Sequence, residues 1–341
     1  MQHFERLPNL TSAFTCRLIL AIAMCAGSAA SLHAADIRAD NIGGVPGSGW
    51  PRSVVLEGKI EAGDYEKLKS LYGERGHNEF SLGSPNVNEL SLASSGGDLA
   101  EAMKVGRLVR ALKLHTNVPS QPGPHLTVGI GNTHKLKDPK ANYMCASACF
   151  FIFVAGVNRT ADLLADPILG IHRPYLSDID LRTLSGDQAI TSANQIRATV
   201  ENYLKEMTVP AKYTDLMFSV PKDKVRWIGN ADFHADLEGP IPELRDWLAA
   251  RCDTRTDVER ATWESLKNKS GKQLTAAERV VTDMLVEKMQ QVHACERDTL
   301  DELSADAWLQ MFDPKCIIIR QDIADWELAP TEARAFCARQ K

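Results

Sequence analysis

The sequence has no run of lysine and arginine, and its 39 Lys and Arg face 44 Asp and Glu for a net charge of −5. That excludes a protein built to grip a nucleic-acid backbone, because such binding rests on clustered positive charge. Beyond residue 35 it lacks any apolar stretch long enough to cross a bilayer. It has no Cys-x-x-Cys pair and no clustered Cys and His at ligand spacing, so no zinc site is expected. Gly129 and Gly131 follow an apolar run but lack the third glycine and the helix that a dinucleotide fingerprint needs. His115, His125 and His134 fall in polar stretches and read as solvated loop residues. No cofactor is expected. Repeats and low-complexity segments are also missing, and 44% hydrophobic against 24% charged residues is too apolar for a disordered chain.

What is present begins with an export signal. Arg6 and Arg17 form a positive start, Leu18 to Ala30 is apolar and small, and Ser31 to Ala35 offers a small-residue cleavage site. The apolar run is short for a spanning helix, and an uncleaved anchor is the alternative, the one route to membrane attachment. Met24 before Cys25 does not suit lipoprotein processing. The mature protein is therefore expected outside the cytoplasm, periplasmic or secreted. Cys16 and Cys25 leave with the signal. Cys252, Cys295, Cys316 and Cys337 then suggest two disulfides in an oxidising compartment, with three pairings open. The domain reading is 1–35 signal peptide, 36–248 main domain and 249–341 a helical, disulfide-stapled extension.

Along the main domain, residues 36–52 read as an extended entry, Ser53 to Gly58 as a strand and Ile60 to Leu71 as a helix. Asn88 to Ala93 is a second strand ending in Ser94-Ser95-Gly96-Gly97. Asp98 with Glu101 three residues on forms a capping-box pattern, and Leu99, Met103, Gly106, Val109 and Leu112 line one helix face. Arg107, Arg110 and Lys113 form an exposed opposite face. Leu126 to Ile130 and Asp166 to His172 are further strands, Ile190 to Met207 is a long helix, and Lys224 to Ile228 is a short strand. Asn230 caps a helix ending near Gly239. Past Pro242 the chain turns helical, with a Thr275/Glu278 capping box opening a helix to about Glu296. Strands alternating with helices indicate an α/β fold with much parallel pairing.

The chemistry centres on Cys145-Ala146-Ser147-Ala148-Cys149, which runs into the apolar Phe150 to Ala155 and stops at Gly156. So apolar a run predicts a short helix buried on all sides, with Gly156 as its C′ stop. Ser147 then either caps a core helix or sits where free N–H groups favour developing negative charge. Gly96-Gly97 after a strand and His172 at a strand end supply the other parts of an acyl-transfer site: close backbone N–H donors and a proton acceptor.

Leu92-Ala-Ser-Ser-Gly-Gly-Asp-Leu99, Ser147-Ala-Cys-x5-Ala-Gly-x-x-Arg159 and Ile171-His172-Arg-Pro174, in this order, resemble the proteolytic subunit of the Clp protease and its periplasmic relatives. The similarity covers residues 53–248. It implies a Clp/crotonase-type spiral of ββα units with Ser147 as nucleophile and His172 as general base. The N–H groups of Gly97 and Ala148 would be oxyanion donors, and Asp223 the acid, with Asp215 its rival. Ser95 replaces the family's proline before the glycine pair, and the glycine shortly before the serine is missing. Cys145 and Cys149 read as two small buried thiols, because a disulfide four residues apart on a helix would be strained; a redox latch is the alternative. Arg159 braces the serine helix or an oligomer contact. The resemblance implies a serine peptidase acting on peptides or unfolded proteins without an ATPase partner, and, since relatives form rings or trimers, a homo-oligomer. A catalytically inactive binding or scaffold module on the same fold, and acyl-CoA chemistry, are the alternatives.

Overall fold

A computed structural model describes residues 35–41, 52–78, 88–118, 144–161, 169–175, 182–221, 223–269 and 273–312. The expected signal peptide, the Leu126 to Ile130 strand, Gly129, Gly131, His125, His134, Cys316 and Cys337 lie outside these residues, apart from Ala35. Strand β2 (Arg52–Glu57) is buried from Val54 through Glu57, apolar on both faces at Val54, Val55 and Leu56. A strand covered on both sides suits the interior of a parallel sheet. It pairs in parallel with β3 (Glu89–Ala93) and antiparallel with β1 (Asp36–Asn41), which turns the expected entry segment into an edge strand. Arg38 of β1 reaches the buried Glu57 at 2.9 Å, giving that carboxylate its counter-charge.

The parallel pairs are joined by helices, as their geometry requires. Helix α1 (Asp64–Asn78) links β2 to β3, and α2 (Leu99–Ala111) links β3 to β4 (His115–Val118). Asp98 accepts from the Glu101 N–H at 2.8 Å, as the capping pattern predicts. The Glu101 carboxylate does not return the bond. It accepts instead from the N–H groups of Gly63 and Tyr65, both at 2.9 Å, and so caps α1. Burial opposes its charge, but the Tyr65, Lys104 and Gly63 donors hold the carboxyl below its ordinary value.

Strand β4 escaped the sequence reading because His-Thr-Asn-Val has no apolar alternation. His115 is no solvated loop residue: its Nε2 is buried with no hydrogen-bond partner among the described residues, and burial lowers it to about 4. Beyond β4 the six-stranded sheet, ordered β1-β2-β3-β4-β6-β9, is completed by β6 (Asn158–Ala161) and β9 (Gly239–Pro240). A second sheet holds β5 (Cys145–Ala146), β7 (Leu169–Ile171) and β8 (Arg226–Trp227), in the order β5-β7-β8. A parallel bridge between Ser94 and Cys145 connects the two sheets at the carboxyl end of β3.

Helix α3 (Ala148–Phe153) is buried along its whole length, as its composition demands. Helix α4 (Gly186–Glu206) opens with a Ser185/Gln188 capping box, and α5 (Lys212–Ser219) follows. In α6 (Asn230–Asp236) the cap position is Gly229 rather than Asn230, and no side chain caps it. The C-terminal part comprises α7 (Pro242–Cys252), α8 (Asp257–Leu266) and α9 (Ala276–Phe312). The Thr275/Glu278 box closes at 2.8 and 3.2 Å, and the helix runs on to Phe312, well past Glu296. A Cys252–Cys295 disulfide ties α7 to α9, selecting one partner among the pairings left open. Helix α9 also rests on the sheet domain: Trp308 Nε1 donates to the Tyr72 carbonyl at 2.9 Å, and Ser304 Oγ to the Lys113 carbonyl at 2.6 Å.

Candidate active site

The carboxyl end of β3 builds one wall of a cleft of about 1360 Å³. Ser94 pairs with the serine strand on one side, its N–H donating to Met144 O at 2.8 Å and its carbonyl accepting from Ala146 at 3.0 Å. Gly96 and Gly97 pair with Ile60 on the other, through Ile60 N–H to Gly96 O at 2.9 Å and Asp98 N–H to Ile60 O at 2.8 Å. Both glycines have positive φ, 109° and 148°. A Cβ on Gly96 would lie 2.5 Å from Ser147 Cβ, and one on Gly97 would lie 2.0 Å from Ile60 O. Only glycine lets three backbone segments meet this closely.

Ser147 stands at the turn between β5 and α3 with φ 57° and ψ −124°. Non-glycine residues rarely adopt such angles, and they persist only where the surroundings over-determine them. Its N–H donates to Gly170 O at 3.0 Å, its carbonyl accepts from Phe150 at 3.1 Å, and its hydroxyl makes no capping bond. The helix-cap role is therefore not what the serine does. A serine on a strained strand-to-helix turn is the arrangement that exposes a nucleophilic hydroxyl. Among the described residues, the N–H groups of Gly97 and Ala148 have no protein acceptor, and both residues line the cleft.

Cys145 and Cys149 form a disulfide. The expectation of two free thiols assumed that both lie on one helix. Cys145 instead ends the strand side of the turn and Cys149 lies in the first turn of α3, which brings their Cα atoms to 5.2 Å, ordinary for a disulfide.

His172 follows β7, the parallel neighbour of β5, so the serine and the histidine leave adjacent strands at the same end. Both line the cleft. His172 Nδ1 lies 2.9 Å from Arg173 O. A carbonyl only accepts, so Nδ1 is the donor in this contact and Nε2 is the ring nitrogen not engaged by it. Neither candidate acid bonds to this ring among the described residues. Asp223 is exposed, on the segment entering β8, which pairs antiparallel with β7. Asp215 lies on α5, paired to Arg197 at 2.5 Å.

Sequence reasoning missed the far walls of the cleft. Gln195, Ile196 and Thr199 of α4, Met103 of α2 and Tyr175 line it. The signal was available only as the amphipathic pattern of α4, which shows that a face is covered but not by what. Of the expected exposed face, Arg107 and Lys113 are exposed, Arg107 pairing with Glu206 at 2.9 Å, whereas Arg110 is partly buried and donates to Ala155 O at 2.8 Å. Arg159, 2% exposed, donates to Met207 O at 2.8 Å and Gly156 O at 3.2 Å, and burial lowers it to about 9. It braces the segment just after the serine helix. Gly156 is needed for space rather than for a left-handed stop, since a Cβ there would meet Thr116 Oγ1 at 2.3 Å.

No protein-family model matches this sequence, and neither does any curated protein. Similar solved structures include a variant of the 1510-N membrane-bound stomatin-specific protease, with 14% identity, TM-score 0.35 and coverage of 60% of this chain and 84% of that one. Another variant of that protease, in complex with a substrate peptide, has 16% identity, TM-score 0.32 and coverage of 51% and 67%. A ClpP1 variant from Listeria monocytogenes has 15% identity, TM-score 0.33 and coverage of 54% and 85%. These three solved structures, to which this chain is similar, are variants of a stomatin-specific protease and of ClpP1.

Proposed function

We propose that this chain is an exported serine peptidase that cleaves peptide bonds without ATP. The observation that carries it is Ser147, held at φ 57° with its hydroxyl uncommitted, in a cleft it shares with His172. His172 Nε2 takes the hydroxyl proton as Oγ attacks the scissile carbonyl, and later returns it to the leaving amine. The N–H groups of Gly97 and Ala148 receive the oxyanion. Asp223 is the proposed acid, supported by its place on the segment beside β7 and by the engagement of Asp215 with Arg197. The cleft is larger than the 300–1,000 Å³ typical of small-ligand pockets, which favours an extended peptide. Helices between parallel strands, and the Ser94–Cys145 bridge between the two sheets, support the ββα spiral that goes with this chemistry. The N-terminal signal pattern and the disulfides support a periplasmic or secreted location.

A fluorophosphonate probe tests the assignment. Wild-type protein becomes labelled, Ser147→Ala does not, and His172→Ala labels on the order of a hundredfold more slowly. Wild-type protein that stays unlabelled while a control serine peptidase reacts overturns it.

A further inference from the structure

We propose that the Cys145–Cys149 disulfide is the positioning element of the nucleophile, clamping the turn that holds Ser147 in its strained conformation. This rests on the assignment of Ser147 as the nucleophile. The bond joins the residue two before the serine to the residue two after it, so the ring it closes contains the strained turn and little else. The Ser147 backbone N–H and carbonyl are both engaged, by Gly170 O and by the Phe150 N–H, which anchors the residue itself but does not link the two cysteine-bearing flanks to each other. Gly96 packs against one side of its Cβ and cannot pull on it. The pairing of β5 with Ser94 and β7 holds the strand side and burial holds α3. The covalent link is the restraint that ties these two sides directly to each other across the serine.

Loop length separates this role from general stabilisation. A disulfide constrains the unfolded chain more as the loop it closes grows. Cys252–Cys295 closes a separation of 43 residues and Cys145–Cys149 a separation of 4. The short one restricts the unfolded chain far less, so its effect falls on local geometry. Both of its sulfurs lie in residues with 0% exposure, shielded from solvent thiols while the turn is intact.

The test compares wild type with the double variant Cys145→Ala/Cys149→Ala, each alone and combined with Ser147→Gly. Fluorophosphonate labelling of the double variant is expected to fall on the order of a hundredfold, as for misplacement of a reacting group. Circular dichroism and an intact Cys252–Cys295 bond verify the fold. Labelling equal to wild type overturns the proposal while leaving Ser147 as nucleophile. Absence of labelling in wild type itself overturns that assignment instead. The second readout is thermal. Glycine accepts φ 57° without strain, so removing the disulfide is expected to lower Tm less in the Ser147→Gly background. Equal Tm losses in both backgrounds, or failure to fold in both, overturn the clamp.

Discussion

Gly96 and Gly63 both hold positive φ, yet they differ in what surrounds them, and that difference separates backbone strain from site geometry. Nothing lies within 4 Å of a Cβ on Gly63, so Gly63→Ala is expected to cost only strain, about 1 kcal/mol in a urea melt. Gly96→Ala adds a clash with Ser147 at 2.5 Å. It is expected to cost roughly 3 kcal/mol and to slow fluorophosphonate labelling on the order of a hundredfold. Similar melts for the two variants would show that the contact with the serine is soft. At this scale the sequence exposed a good deal: Gly96, Gly97, Ser147 and His172 were all legible as punctuation around apolar runs. The angle at Ser147 was not, because a strained φ leaves no trace in periodicity. The disulfide was hidden for the same reason, since Cys145 reads as helical until the turn is known.

At the scale of elements, α3 is a short buried helix whose far end is held by side chains from its neighbours. Tyr203 donates to Phe151 O at 2.8 Å, Thr116 to Phe153 O at 2.7 Å and Arg110 to Ala155 O at 2.8 Å. Buried carbonyls need such partners, and here they come from α4, β4 and α2. The tightest contact is Gly106 of α2, where a Cβ would lie 1.8 Å from the Tyr203 hydroxyl. Gly106→Ala is expected to cost at least about 2 kcal/mol. Tyr203→Phe alone is expected to cost about 1–2 kcal/mol, because it strips a buried carbonyl of its donor. Combined, the two should cost less than their sum by on the order of 1 kcal/mol, read by denaturant midpoints. Strict additivity would mean that the helices shift apart to make room. The sequence showed α2 as an amphipathic helix but assigned Arg110 to its exposed side. A long side chain that carries charge over apolar surface to buried carbonyls looks, in a helical wheel, like one in water.

Across the whole molecule, the cleft lies at the carboxyl ends of β3, β5 and β7, while α9 approaches Asn88 and Lys113, near the amino ends of β3 and β4. Asp301 of α9 bonds Asn88, and burial pushes its carboxyl up to about 6. Below about pH 4 this carboxyl is protonated in folded and unfolded chains alike. As pH rises toward 6 the unfolded chain ionises first, and the stability contributed by protonated Asp301 is lost. Wild type should therefore lose stability relative to Asp301→Asn between pH 4 and 6. His115 acts in the opposite sense over the same window but equally in both proteins, so the difference isolates Asp301. A constant difference across that range would remove Asp301 from the docking of α9. Replacing Cys252 and Cys295 by alanine, with a separation of 43 residues, is expected to lower stability by about 4 kcal/mol. Labelling at 25 °C should change little. A large loss of labelling would mean that α9 and the site are coupled. The helical character of this C-terminal part was legible from its composition and its capping box; where it docks was not, because the contacts fall on Asn88, Lys113 and Tyr72, which carry no pattern.

The angles at residue 147 also decide which side chain the position can carry. A β-branched side chain is a steric outlier at φ 57°, so threonine is closed to this position. Cysteine is not β-branched, but Ser147→Cys would put a third cysteine in the sequence midway between two already bonded. A thiolate there is expected to exchange with Cys145 or Cys149 Sγ, releasing the other as thiolate, which mass spectrometry of the Ser147→Cys variant would detect as a mixture of disulfide pairings. If residue 147 is the nucleophile, as proposed above, serine is the side chain that both the backbone angle and the neighbouring disulfide tolerate.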